Sequence, residues 1–246
     1  MQAHVNHGDS LEVNSLRSKL PAGTEILNYY GPLPSSELLR RYGYVTPEHR
    51  RYDVVELPWS LVRSALAQQL SIAEDVLEKL VSSRSQGVDT MLTSLQQTRL
   101  EKEEELEDYF VIERDSGEPD GQGRLTYDVK LRELSPELDE QLTIFLKALK
   151  KSNPEVIADK RKRIESVKAA IVQALTAKLA QYPTSVQEDE TLLNKSDLAK
   201  RNRMAIEVRL GEKLLLQEAI ALMQGDTVPG EEANGERSTK RARTHA

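Results

Sequence analysis

The chain has 246 residues, 38% of them hydrophobic, 30% charged and 4% aromatic, with a net charge of −6. That leaves room for one good-sized domain, or one domain plus part of another, and suits long helices with solvated faces better than a β-sandwich. Cysteine is absent, which excludes disulfides, thiolate zinc sites and cysteine nucleophiles together and fits a reducing compartment. The four histidines (His4, His7, His49 and His245) do not stand at metal-ligand helical spacing, so no metal site is expected. No apolar run approaches the roughly 18 residues of a membrane span, residues 1–10 lack the apolar stretch of a signal peptide, and the negative charge gives no global attraction to nucleic acid.

In chain order, residues 11–20 alternate loosely, Pro21-Ala22-Gly23 reads as a turn, and residues 25–28 read as a second short strand. Residues 35–42 predict a short helix capped by Ser35 or Ser36, with Leu38 and Leu39 facing inward. This opening is mixed α and β and too short to fold alone. From Trp59 the character turns helical. Residues 60–69 carry Leu61, Val62, Ala65 and Leu66 at helical spacing, and Ser71 opens a further helix with Ile72, Val76, Leu77 and Leu80 on one face. Residues 89–108 read as helical and end in an acidic run. Tyr109-Phe110-Val111-Ile112 reads as a strand, and residues 115–123, with three glycines and a proline, as an exposed loop.

Ser135-Pro136 places Ser at an N-cap and Pro at the first helical position, starting a helix to about residue 151. Asn153-Pro154 repeats the signature and opens what reads as the longest helix, to about Tyr182, with the stripe Ile164, Val167, Ile171, Leu175, Leu179 and Tyr182. Pro183 stops it. Thr184-Ser185 then heads a short helix and Ser196 a long one, on which Leu198, Ala205, Val208, Leu215, Ala219 and Leu222 share a face. Gly225 closes the folded part, and residues 225–246 read as a disordered basic tail.

Two groups of motifs carry chemistry. The first is Gly23-Thr24-Glu25-Ile26-Leu27-Asn28-Tyr29-Tyr30-Gly31, continued by Leu38-Leu39-Arg40-Arg41-Tyr42-Gly43-Tyr44-Val45. It resembles the end of the SET domain in the Rubisco large-subunit methyltransferase class, which includes fungal ribosomal-protein lysine methyltransferases; Tyr44 stands where that pattern usually has Phe. The second comprises Tyr182-Pro183-Thr184-Ser185, Asp189-Glu190 with Leu192-Leu193, and Arg201, Arg203-Met204-Ala205 and Val208-Arg209-Leu210-Gly211-Glu212-Lys213. It resembles the signature of that class's helical substrate-binding domain, in matching order and spacing.

The resemblance implies a mainly α fold: a small α+β remnant of a SET domain at residues 1–50, a helical substrate-binding domain at 51–224, and the tail at 225–246. It implies S-adenosylmethionine as methyl donor and a protein substrate bearing a target lysine, ribosomal or nuclear, with neither a membrane nor nucleic acid as partner. Tyr30 falls on the family's catalytic tyrosine, Tyr42 and Tyr44 where the family lines its lysine channel, and Asn28 beside the cofactor. Such transfer needs a neutral amine in line with the sulfonium methyl. A phenol can orient that amine without offering it a competing carboxylate, and aromatic walls suit the aliphatic stem and nascent ammonium.

The family's cofactor-binding half lies upstream of this region, so the chain is expected to be truncated and to bind more readily than it catalyses. Asn6-His7 bears a superficial likeness to the family's Asn-His-Ser motif, but Gly8-Asp9 follows it, and it reads as part of the turn before Leu11. The rival expectation is a helical adaptor unrelated to methylation, with the three tyrosines buried apart; a lysine slot would gather them at one open concavity. The run Lys160-Arg161-Lys162-Arg163 reads as a solvated helix face or as a contact for an acidic protein surface. Lys240, Arg241 and Arg243 in the tail resemble a nuclear import signal, which makes the nucleus the expected location and the cytoplasm the alternative.

Overall fold

The computed structural model describes residues 5–7, 10–12, 19–26, 29–73, 108–117, 120 and 129–225. It is mainly helical. Six α-helices are described: α1 (Ser35–Tyr42), α2 (Trp59–Gln69), α3 (Pro136–Ser152), α4 (Lys160–Leu179), α5 (Val186–Leu193) and α6 (Lys200–Gln224). Among the described residues, four short strands form two antiparallel pairs. Strands β1 (Val5–His7) and β2 (Ser10–Glu12) pair with Asn6 opposite Leu11, which places Asn6 and His7 in a hairpin. Strands β3 (Val54–Pro58) and β4 (Tyr109–Glu113) pair from Val54–Glu113 to Pro58–Tyr109.

The β3–β4 pair alternates cleanly, as a two-residue period requires of a ribbon with one face on a core. Val55, Leu57, Phe110 and Ile112 point inward, while Glu56, Tyr109, Val111 and Glu113 point to solvent. Pro58, without an N–H, ends β3, and Trp59 starts α2 with its own N–H given to Asp108 O at 2.8 Å. The Trp59 ring stands edge-on to Phe110 and Phe145, with centroids 6.0 and 5.7 Å away, the geometry the ring quadrupoles favour. Around it α2 packs on α4. Ala65 on one helix and Ala170 and Ala174 on the other are buried with Val62, Leu66, Ile171 and Leu175. Small side chains at such a crossing let the axes approach. Helix α6 crosses α4 and closes the core with Leu215, Leu216 and Ala219.

Several expectations need correction. Asn153-Pro154 does not open a long helix. It opens a 3₁₀ turn, Pro154–Ile157, and α4 starts afresh at Lys160. Asp159 supplies that start, its Oδ1 accepting from the Arg161 and Lys162 N–H groups at 2.8 and 3.2 Å. The longest described helix is therefore α6, of 25 residues. Of the predicted stripe, Ile171 and Leu175 are buried and Val167, Leu179 and Tyr182 pack against the core, while Ile164, near the N-terminal end of α4, is 48% exposed. Ser196 does not head α6, which begins at Lys200; of the predicted face Leu215 and Ala219 are buried and Val208 and Leu222 half-buried, Ala205 is exposed, and Met204, Ile206 and Leu210 are buried beside them.

Near the start of the chain, Ser35 is the first residue of α1 and Pro34 its cap position. Glu25 and Ile26 are not in a strand. Strand β3 has no counterpart in the sequence reading. The helix read from Ser71 does not start there, since residues 71–73 are not helical and Ser71 has φ +53°; residues 74–80, 89–107, Asn28 and the tail from residue 226 lie outside the described residues.

Candidate functional site

The three tyrosines singled out by sequence meet. Gly31 follows Tyr30 with φ +95°, and Leu33 N–H closes a tight turn on Gly31 O at 2.9 Å. Helix α1 delivers Tyr42 as its last residue. Gly43, at φ +73°, then reverses the chain, its N–H bonded to Leu38 O and Leu39 O at 3.1 Å each, so Tyr44 returns beside Tyr42. The Tyr30 and Tyr42 rings stack with centroids 4.1 Å apart and planes 21° from parallel, and Tyr44 lies 6.5 Å from Tyr42 at 46°.

Tyr30 and Tyr42 are 44% and 43% exposed, and Tyr44 is half-buried. Burial, with the Tyr30 and Tyr42 phenols next to it, pushes the Tyr44 hydroxyl above the usual phenol value of 10.0, so it keeps its proton at neutral pH. The rings gather on open surface; neither of the two clefts described below is lined by any of them.

Tyr29, one residue before the cluster, faces the other way. Its hydroxyl donates to Tyr52 Oη at 3.2 Å, and Tyr52 donates to Gly117 O at 3.1 Å, tying the turn to the loop after β4. His49 lies 6.0 Å from the Tyr29 ring, its Nδ1 2.9 Å from Thr46 Oγ1, and burial holds its pKa below the ordinary 6.5.

Asp53, just before β3, anchors α1. Its Oδ1 accepts the Ser35 N–H at 2.9 Å. Its Oδ2 is buried without a hydrogen-bond partner and lies against Gly211 of α6, so closely that a Cβ there would sit 2.0 Å away. Burial pushes the Asp53 carboxyl above 3.8, opposed by the Ser35 N–H, Arg114 and Arg50. Arg114 itself is nearly buried. It grips Glu218 of α6 with two bonds of 2.8 Å and gives a third, 3.0 Å, to Arg50 O.

The second motif group has a structural explanation. Asp189 of α5 and Lys213 of α6 are both fully buried and paired at 2.6 Å. Lys213 Nζ also donates to Thr184 Oγ1 at 2.9 Å and Ser185 O at 3.2 Å, which uses all three of its protons. Asp189 takes further bonds from Thr184 Oγ1 at 2.7 Å and from Nε of Arg209 at 3.0 Å, with a second Arg209 donor on Oδ1. Burial alone would raise the Asp189 carboxyl, but Arg209, Lys213 and Thr184 outweigh it and hold it below 3.8.

The Tyr182 hydroxyl donates to Glu212 at 2.8 Å, and burial followed by that carboxylate's charge drives the phenol far above its usual range. Lys213 Nζ lies over the Tyr182 ring at 5.6 Å. Arg203 caps the end of α5, donating to Leu193 O at 2.8 Å and Lys195 O at 3.1 Å. Ser185 and Glu188 form a reciprocal capping box at its start. These residues lock α5 to α6. Asp53, Arg114 and the buried state of Lys213 were not singled out by sequence; a lysine flanked by Leu210, Leu214, Leu215 and Leu216 on a helix was the available signal.

Two clefts flank β4 and α3, of 550 Å³ and 780 Å³, and share Arg132, Glu133, Leu134, Ser135 and Pro136. Among the described residues, two of the three rings of the cluster, Tyr30 and Tyr42, are open to solvent. The three together form one aromatic wall.

The α5–α6 clamp and the helical core beneath it lie in the part of the chain that a family model of SET-related protein methyltransferases matches. Residues 57–216 match the family model described as Rubisco LSMT substrate-binding, and the chain belongs to that family. It is similar to the actin-histidine N-methyltransferase of Plecturocebus moloch, with 42% identity over 48 residues, 20% of this chain and 8% of that protein. For the Rattus norvegicus protein of that name the identity is 48% over 42 residues, and for the Homo sapiens one 45% over 42; each alignment covers 17% of this chain and 7% of the relative. The alignments thus span less than a tenth of these relatives.

Proposed function

We propose that this chain docks a protein substrate for SET-type methyl transfer, and that Tyr30, Tyr42 and Tyr44 form the wall along which the acceptor nitrogen is presented. The meeting of three rings from two turns and a helix end carries this reading. Aromatic faces attract a cation or an amine gaining charge, and phenol hydroxyls can both donate and accept while a neutral nitrogen is aligned. Tyr30 is the residue proposed to touch the acceptor, and Tyr42 and Tyr44 are proposed to flank its stem.

S-adenosylmethionine is the donor the family implies and would supply the methyl group. Residues beyond this wall are needed to bind it, so catalysis is proposed to require a second, cofactor-binding segment. A lysine of a ribosomal or nuclear protein is the proposed acceptor. The relatives' name, which specifies a histidine of actin, supports a second reading in which the nitrogen is an imidazole's. Lys240, Arg241 and Arg243 are proposed to direct the chain to the nucleus; residues 225–246 fused to a fluorescent reporter should concentrate there, and an even distribution removes the proposal.

The main test is transfer of radiolabelled methyl groups into purified ribosomal, nuclear and actin fractions, by the chain alone and with a SET catalytic segment from a relative added. Transfer is expected in the mixture, with mass spectrometry naming the modified residue. Tyr30→Phe should lower the rate on the order of 10²-fold if the hydroxyl positions the acceptor. Unchanged transfer by the Tyr30→Ala/Tyr42→Ala/Tyr44→Ala variant overturns the reading.

A further inference from the structure

Helix α4 opens with four consecutive cations, Lys160 to Arg163, in its first turn. The exposed N–H groups of a helix start already carry partial positive charge, so cations there are unfavourable within the chain. Asp159 offsets this in part by capping the turn, and Arg161 makes an exposed pair with Glu165 at 3.0 Å. Helix α3 ends in three more cations, Lys147, Lys150 and Lys151, all exposed. The 3₁₀ turn Pro154–Ile157 packs on both helices through buried Ile157, which brings the two basic ends to one end of the helical core.

Residues 147–168 hold eight Lys or Arg and three Asp or Glu, a local charge of +5 in a chain whose total is −6. Among the described residues no ion pair engages Lys147, Lys150, Lys151, Lys160 or Lys162. Two aliphatic side chains stand exposed within this patch, Val156 at 39% and Ile164 at 48%. There is no aromatic residue in the segment. Surfaces for single-stranded nucleic acid combine cations with stacking rings; this one combines them with branched aliphatics, which suit the interior of a protein–protein contact with a charged rim.

We infer that the basic end formed by α3, the 3₁₀ turn and α4 docks an acidic protein segment that carries aliphatic side chains, with Val156 and Ile164 at the centre and the lysines around them. The inference rests on the substrate-docking function proposed above and names the chemistry of the segment docked. The cations set attraction and orientation, and the aliphatics set preference among acidic segments.

The test uses the full 246-residue chain and fluorescence anisotropy with two labelled peptides of equal length and charge. Both are Glu- and Asp-rich; one has Leu and Val at every third or fourth position and the other Ser. The aliphatic peptide should bind about fivefold or more tighter, as expected from burying a methyl-bearing side chain or two. Val156→Ser/Ile164→Ser should erase that preference. Lys150→Glu/Lys151→Glu/Lys160→Glu/Lys162→Glu should weaken both peptides by about tenfold or more, steeply with salt; all four lysines are exposed, and an unchanged circular dichroism melt verifies the fold.

Equal binding of the two peptides overturns the inference, as does tighter binding of a short single-stranded RNA or of phosphatidylserine vesicles. Binding seen only after the chain's own acidic run at 101–107 is neutralised to Gln assigns the surface to that run and also overturns it. The tyrosine triple variant should bind the peptides normally. If it does and methyl transfer never appears in any mixture, the methylation reading fails while the docking surface stands; if transfer proceeds unimpaired in the lysine variant, the docking surface fails alone.

Discussion

Asp53 and Asp189 are both buried carboxylates, at 2% and 0% exposure, yet they are perturbed in opposite directions. Asp189 sits in the α5–α6 clamp with both oxygens bonded, to Lys213, Arg209 and Thr184. Asp53, on the tyrosine side of the molecule, has one hydrogen-bonded oxygen and one pressed against the Gly211 backbone. Desolvation acts on both; only at Asp189 do partners exceed it. The clamp is thus an electrostatically completed part of the core, and the region that carries the tyrosines is held by a carboxylate with an unmet demand. The two recognisable motif groups differ in kind for the same reason. One gathers side chains inside the protein, and the other lays them on its surface.

The largest effect should come from opening the clamp. Asp189→Ala leaves Lys213 and Arg209 without their counter-charge and should cost about 3–5 kcal/mol in urea unfolding. A loss as small as that of an exposed pair would show that water or another carboxylate replaces Asp189. Next, Gly211→Ala drives a methyl group into the Asp53 carboxylate and should cost about 1–3 kcal/mol, as overpacking does. In Gly211→Ala/Asp53→Ala the clash is gone, so the double variant should lose less than the sum of the singles; strict additivity would break the assigned contact.

Acid should separate the two aspartates by sign. The Asp53 pKa is raised on folding, so the native state binds that proton more readily and its contribution improves as pH falls toward 3.8. The Asp189 pKa is lowered, so its contribution is full above 3.8 and is lost as pH falls through its folded value. The stability gap between wild type and Asp53→Asn should therefore move in favour of wild type on acidification, and the gap for Asp189→Asn against it. Parallel movement would refute the contrast.

Smaller still, Tyr182→Phe removes one hydrogen bond to Glu212 and should cost about 1 kcal/mol. Tyr42→Ala should cost about 1 kcal/mol or less, since its ring is 43% exposed and the stack on Tyr30 is worth little beyond that. A surface ring whose loss barely alters folding but abolishes transfer would mark the cluster as functional.

The sequence was most legible where local chemistry and tertiary packing agree. Ser135-Pro136 starts α3, Pro183 and Ser185 separate α4 from α5, Gly225 ends α6, and the apolar run at 109–112 is β4. It misled where two local signals competed. Asn153-Pro154 is a good helix start, but Asp159 provides a better one six residues on; the apolar stripe holds from Val167 to Tyr182 and fails only at Ile164, near the new start. Strand β3 is only five residues and ends in proline; its identity depends on a partner more than fifty residues away.

For Lys213 the leucines around it on α6 are a local hint of burial, but the three partners of its protons come from α5 and the turn before it and cannot be read from its own neighbourhood. The gathering of the tyrosines was suggested only by resemblance. Its cause, the left-handed Gly31 and Gly43 turns, is visible as two glycines but not as two rings in contact.

The contact of Asp53 Oδ2 with the α6 backbone joins positions far apart in the chain through a missing side chain. It couples sequence drift at the two sites: a substitution larger than glycine at 211 is less costly once position 53 has become smaller, and a shortened residue at 53 leaves the amide of Ser35 at the head of α1 without its acceptor. Changes at those two sites should then arise as a pair, in that order, and chains that have made the exchange should hold their tyrosine turn at a different height above the helical core.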